Sequence, residues 1–346
     1  MIQGTVKTEE LYRAVMLDSS SSLKDFSMDR KKYHRKHILN EDVKEKDSIA
    51  ANLGRLVETM LWEPELFDEK FFMSTCESIP TGLMLEFVEC LYQVTLDSTD
   101  ESGNISRGFK ELAEEAYTLS SFKIKFEAVL KKFIGTNAEL YYNEIRTVRS
   151  RNLTVVDTQQ VATAEKIINK LKTTSYTKDI VNMVTSERYT VLDQLQVEDY
   201  ELDGHQFKSM MDRVIVDHFD KTIQVYDLKC TWNVENFYEE YYLYRRAYIQ
   251  AYLYLQAAKE YFAAEYLDFE VLNPRFLVCD SANYYKPLIF TLSNRDLKEA
   301  YLGFNHKGRT YPGVKDLVSS LSWAHTNNIW DMTKQNYNAN GIINIT

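Results

Sequence analysis

The sequence predicts an α/β protein, a mixed sheet flanked by helices. Three patterns predict it. Residues 189–229 alternate as a β-meander, a long helical pattern follows to about Phe262, and most of the first 170 residues have helical periodicity.

The elements follow in order. An N-terminal helical region spans about 8–72. Within it, residues 48–62 place Leu53, Leu56, Val57, Met60 and Leu61 at helical spacing, with Gly54 and Glu58 as i, i+4 neighbours. A glycine inside a helix costs about 1 kcal/mol against alanine. Close approach of another backbone is the expected compensation, and it would bring Glu58 down onto the sheet. Residues 76–150 read as helical with a polar break at Asp97–Ser106. The most hydrophobic window, Gly82–Val94, is interrupted by Glu86 and Glu89, which makes it an amphipathic helix. Helix 157–172 has a stripe of Val161, Ala164, Ile167, Ile168 and Leu171. Strands Tyr189–Leu202 and His205–Val216 flank Asp203-Gly204, a strong hairpin turn pair. Further strands are expected at Pro274–Cys279 and Pro287–Leu292, then a helix and aromatic positions such as Trp323 and Trp330.

Composition narrows the class. At 346 residues, 45% hydrophobic and 27% charged, the chain is ordinary for a globular protein. No secretory signal pattern and no membrane-spanning run is visible, so a cytoplasmic location is expected. The cysteines (Cys76, Cys90, Cys230, Cys279) lack C-x-x-C spacing, which argues against zinc and for free thiols. A net charge of −10 argues against a simple nucleic-acid binder. Local basic groups exist, however. The run Arg30 to His37, with Lys31 and Lys32, reads equally as a DNA contact or a solvated helix face. Arg146, Arg149 and Arg151 form a second group. Acidic stretches at Glu41–Glu45 and Asp97–Glu101 would repel DNA and confine it to a channel.

The chemistry concentrates in Met211–Lys229. With Asp217 opposite Thr222, a hairpin sets Asp212 opposite Asp227. Cross-strand partners lie with Cβ atoms about 5 Å apart, where like charges repel. Asp227 and Lys229 share a strand face with Ile223 and Val225; Asp212 shares one with Val214 and Val216. An exposed hairpin with a salt bridge would also read this way. Two carboxylates and an ammonium at the end of an apolar row instead make a seat for a divalent cation. Asn233 is the expected N-cap of the next helix, on which Arg246, Gln250 and Tyr254 are spaced i, i+4, i+8 as a polar face.

Taken together, Asp212, Asp227-Leu-Lys229 and Gln250-x-x-x-Tyr254 resemble the signature of the PD-(D/E)XK nuclease superfamily, RecB-like branch, and most of all the RecE-type exonuclease domains of phage recombination systems. Two N-terminal stretches agree. The Ser19–Phe26 helix start with Tyr33 is one. The other is Gly54-x-x-x-Glu58 followed by Glu63-Pro64, where RecE-type domains have His in place of Glu58 and other members use Glu. The resemblance covers 19–73 and 153–346; residues 76–152 are an unmatched helical insertion in one nuclease domain.

What the resemblance implies is a restriction-endonuclease-like fold and a metal-dependent deoxyribonuclease. Hard oxygen ligands (Glu58, Asp212, Asp227 and the Leu228 carbonyl) suit Mg²⁺, with Mn²⁺ as substitute. Lys229 would orient the attacking water, with Gln250 beside it. Arg246, Gln250, Tyr254, Arg30, Lys31 and Lys32 are the expected DNA contacts. The expected substrate is linear duplex DNA with free ends, the expected partners a second copy of the chain and a single-strand annealing protein, and the expected setting recombination in a bacterial or phage-infected cell. An endonuclease with the same site, and a catalytically silent subunit, are the other classes.

Overall fold

The computed structural model describes residues 9–41, 49–100, 102–151, 153–283 and 286–342. The chain forms two compact units, Met1–Ala50 with Lys170–Thr346, and Ala51–Asn169. Among the described residues no helix is long and apolar enough to cross a membrane. Of the acidic stretches noted above, residues 42–45 and Glu101 lie outside the described residues.

In chain order the elements are α1 (Glu9–Ala14), α2 (Ser20–Met28), α3 (Arg30–Tyr33), α4 (Ile49–Trp62), α5 (Phe67–Lys70), β1 (Phe71–Met73), α6 (Gly82–Asp97), α7 (Phe109–Leu119), α8 (Phe126–Phe133), α9 (Asn137–Val148), β2 (Thr154–Val156), α10 (Thr158–Thr173) and α11 (Lys178–Val181). Then come β3 (Tyr189–Leu202), β4 (His205–Asp217), β5 (Thr222–Thr231), α12 (Ala247–Phe262), β6 (Glu270–Val271), β7 (Arg275–Asp280), β8 (Leu288–Thr291), α13 (Asn294–Leu302), β9 (Phe304–His306), β10 (Arg309–Tyr311), α14 (Val314–Asn327) and α15 (Lys334–Asn338).

The larger unit is built on a mixed sheet of order β3-β4-β5-β7-β8, with β6 also paired to β5. The meander β3-β4-β5 is antiparallel; β5 and β7 are parallel, as the intervening α12 requires. Asp203 and Gly204 both have positive φ, the conformation that a two-residue hairpin turn demands. At the next hairpin Asp217 pairs with Thr222, as the sequence predicts, and the register runs to Arg213 opposite Tyr226. Val214, Val216, Ile223 and Val225 are all fully buried. They pack with α12, whose Leu253, Ala257 and Ala258 are equally buried, and with Leu23 and Phe26 of α2 and Val318 and Leu321 of α14. Burying one such aliphatic side chain contributes roughly 1.5–3 kcal/mol, so α12 is held by packing on nearly every side.

The helix before the site is not continuous, although its periodicity suggests that it is. Tyr238–Tyr244 forms a π-helical turn, and Arg246 then takes a left-handed conformation (φ 56°) as N-cap of α12. Asn233 caps a short 3₁₀ turn instead of the long helix. The polar row of Arg246, Gln250 and Tyr254 therefore has its first member outside the helix, while Gln250 and Tyr254 are buried, not solvated.

Four free thiols are present, and Cys230 of β5 is the register partner of Cys279 of β7, a proximity that spacing along the chain could not reveal.

The smaller unit gathers α6–α9 around Phe87, Leu91, Leu112, Phe133 and Ile145. The helical expectation for 76–150 is met, and the break at 97–106 is the α6–α7 connection. The parallel pair β1-β2 brackets these helices, with Phe71 opposite Thr154. Arg149 forms a two-pronged bond with Glu89 and lies over the Tyr92 ring, so this member of the second basic group is already partnered. On α4, Leu53, Leu56 and Val57 are buried and Glu58 is half-buried. Among the described residues no backbone makes the close approach expected at Gly54. A Cβ there would meet nothing within 4 Å, because α4 buries its leucine and valine positions and leaves the glycine off that face. Gly54→Ala should therefore raise stability by about 0.5–1 kcal/mol, seen as a higher urea midpoint at unchanged slope.

Candidate functional site

The site begins where the β4-β5 ladder stops. Arg213 opposite Tyr226 is its last pair, and the next residues on the inward face are Asp212 and Asp227. In place of a further strand bond, the Leu228 amide donates to Asp212 Oδ2 at 2.7 Å. Asp227 is 1% exposed and Asp212 9%, at the end of the Val214/Val216/Ile223/Val225 row. Two carboxylates so placed need compensation.

The compensation comes from three elements. Lys229, two residues along β5, forms an ion pair with Asp227 Oδ2 and donates to the Leu228 carbonyl at 3.3 Å. Gln250 of α12 donates from Nε2 to Asp227 Oδ1 at 2.9 Å and to Tyr254 Oη at 2.8 Å. Lys24 of α2 donates to Gln250 Oε1 at 3.4 Å. Lys24 can only donate and Asp227 only accept, so the amide has one orientation that satisfies both. Burial first, then the charges of Asp212 and Asp227, push the Tyr254 phenol well above its ordinary value, so it stays protonated. Burial, and next the charge of Lys229, pull Lys24 down to about 8 against the opposing pull of Asp227 and Asp25.

Lys24 is the residue that sequence inspection missed. It lies in the Ser19–Phe26 helix start, 226 positions before Gln250, and only its place one turn into that helix could have marked it. Ser19 caps α2 with a capping box to Ser22, which fixes where the helix begins and hence which face carries Lys24.

The other expected positions fall differently. Arg246 is held by α2 through the Ser27 carbonyl and hydroxyl. Of the basic run, Arg30 lies over the Phe26 ring at 4.6 Å, and Lys32, Lys36 and His37 all bond Asp25 at 3.0–3.2 Å. Three members of the run thus share one internal carboxylate, while Lys31 and Arg35 are exposed. Burial would raise the Asp25 pKa, but the His37 bond and the Lys36 and Lys32 charges outweigh it and hold the carboxyl below its ordinary value. Glu58 belongs to the other unit.

The oxygen set suits a hard cation in its chemistry. Asp227 Oδ2 is buried and accepts no directed hydrogen bond; its neighbour is the Lys229 ammonium, which also touches the Leu228 carbonyl. Positive charge thus already sits against two of the three larger-unit oxygens expected as metal ligands. Among the described residues no group of three or more His, Cys, Asp or Glu side chains gathers as a metal centre.

No family model matches the chain, and no curated protein does. Among solved structures it is similar to a crystal structure described as "Putative exonuclease" from Eubacterium rectale, at 13% identity and a TM-score of 0.48, over 96% of this chain and 89% of that one.

Two outcomes follow from the geometry. Gln250→Leu leaves Asp227 Oδ1 without its amide donor and should cost roughly 1–3 kcal/mol in denaturant unfolding. Asp25 titrates below its unfolded value when folded, so its contribution is complete above about pH 4 and is lost as pH falls through the folded value. Thermal melts taken from about pH 6 down to pH 2 should show that loss in the native chain and a shallower one in Asp25→Asn.

Proposed function

We propose that this protein is a metal-dependent deoxyribonuclease of the PD-(D/E)XK type, acting as an exonuclease on linear duplex DNA. The observation that carries it is the Asp212, Asp227, Lys229 and Gln250 constellation: two buried acids at the end of one apolar strand row, a lysine on the same strand face, and a buried amide fixing one acid from the neighbouring helix. A structural ion pair needs one acid and one base. It does not need a second carboxylate beside the first, nor a glutamine spent on orienting it.

Asp212, Asp227 and the Leu228 carbonyl would hold Mg²⁺ or Mn²⁺. When bound, such an ion polarises the scissile phosphate and lowers the pKa of a coordinated water. Lys229, drawn off Asp227, then orients the attacking water and stabilises the charge that develops on the phosphate oxygens. Gln250 keeps Asp227 from rotating, and the protonated Tyr254 holds the far side of that amide. On this reading residues 76–152 are a helical insertion in one nuclease domain, and the exposed Lys31 is the member of the Arg30–Lys32 run best placed to meet a DNA backbone.

The test is Mg²⁺-dependent digestion of linear against covalently closed duplex DNA, with Asp227→Ala in parallel. Loss of linear DNA alone, abolished by EDTA and reduced by roughly a hundred- to a thousandfold in Asp227→Ala, is expected. Cutting of closed circles would make the enzyme an endonuclease. A folded protein that cleaves neither, with Mn²⁺ also tried, would sink the nuclease reading.

A further inference from the structure

Several basic groups around α2 bond an acid: Lys32, Lys36 and His37 share Asp25, and Lys229 pairs with Asp227. Lys24 bonds none. Asp227 and Asp25 act on it only from beyond ion-pair distance, and its single hydrogen bond among the described residues goes to a neutral amide oxygen at 3.4 Å, the long end of the range. An ammonium carries three protons to donate. Here it is half-buried, so water is a poor substitute. Burial, and next repulsion from the nearby Lys229 charge, draw its pKa down to about 8.

Such a group is poorly satisfied in the free protein. The charges of Asp227 and Asp25 favour the ammonium from a distance, but they accept none of its protons, and a neutral donor would hold the Gln250 amide at less desolvation cost. An incoming anion changes the balance. A phosphate oxygen within reach would accept the unused protons, offset the repulsion between Lys24 and Lys229, and form a charge-assisted bond about twice as strong as a neutral one.

We propose that Lys24 is a substrate-contacting residue of this site, its ammonium donating to a phosphate oxygen of the bound DNA strand. The inference rests on the nuclease reading above and adds to it a second cation, supplied by α2 and not by the β5 strand that carries Asp227 and Lys229. Gln250 then joins the two halves of the site: its Nε2 holds the acid and its Oε1 holds the lysine that meets the phosphate.

The experiment is a salt titration of DNA affinity. A fluorescent duplex is bound in Ca²⁺, so that cleavage does not intrude, and anisotropy is read across a range of salt. Each phosphate contact contributes about 0.9 to the slope of log K against log salt for duplex DNA. Lys24→Met should make that slope shallower by about 0.9 and lower kcat/KM in Mg²⁺ by roughly ten- to a hundredfold. Lys24→Arg should restore the slope, because it keeps the charge. Duplexes ending in a 5′-phosphate or a 5′-hydroxyl are run side by side. The same slope change on both places the contact on an internal phosphodiester, and a change on the phosphorylated end alone places it on the terminal group. Both are phosphate contacts.

If Lys24→Met keeps the native slope while the wild type binds and cleaves, the proposal is wrong, and Lys24 serves only to hold the Gln250 amide. Lys24→Gln guards against misfolding, since it keeps a donor of similar length without the charge; a native slope in that variant is equally fatal. If the folded wild type neither binds nor cleaves DNA, the nuclease reading itself fails, and this inference falls with it.

Discussion

One buried amide organises the site. Gln250 lies on a helix enclosed on nearly every side, where an unmatched polar group would be costly. Each end of its side chain is used. The nitrogen faces Asp227 and Tyr254, and the oxygen faces Lys24. Three separate elements (α2, β5 and α12) are therefore brought to a fixed relation by a single side chain that carries no charge. A charged residue in its place would have needed its own partner. A smaller one would have left Asp227 free to swing toward Lys229 alone.

Charge is handled locally. The molecule is acidic overall, and three members of its most conspicuous basic run are held by Asp25. Net charge and linear clusters therefore say little about where an anion would be received. What matters is the residue left over after the internal pairing is complete, and that can be found only from contacts.

The sequence exposed what depends on short-range geometry. Side-chain alternation and the Asp203-Gly204 turn made the meander readable, and one assumed pair, Asp217 with Thr222, carried the register to the two acids. It failed where distant parts of the chain decide the outcome. The periodicity through Arg246 looks helical, yet the residue turns left-handed, and its guanidinium reaches Ser27 of α2. Gly54 looked like a close-packing position, and no described atom lies within 4 Å of where its Cβ would be. Lys24 looked like any lysine in a serine-rich stretch. Its meaning comes from a glutamine more than two hundred residues away.

The facing thiols of Cys230 and Cys279 have a consequence for how the site could be watched at work. They sit on the parallel strands β5 and β7, one position past Lys229, and both are shielded from solvent. Contact with Cys230, reinforced by burial, raises the Cys279 thiol well above its usual pKa, which keeps it inert while the ladder is closed. Alkylation there must wait for the strands to part. The rate at which these two sulfurs are labelled in the native protein is thus a clock for local opening of the strand that carries Asp227 and Lys229. It reports the mechanical integrity of the site without any turnover at all.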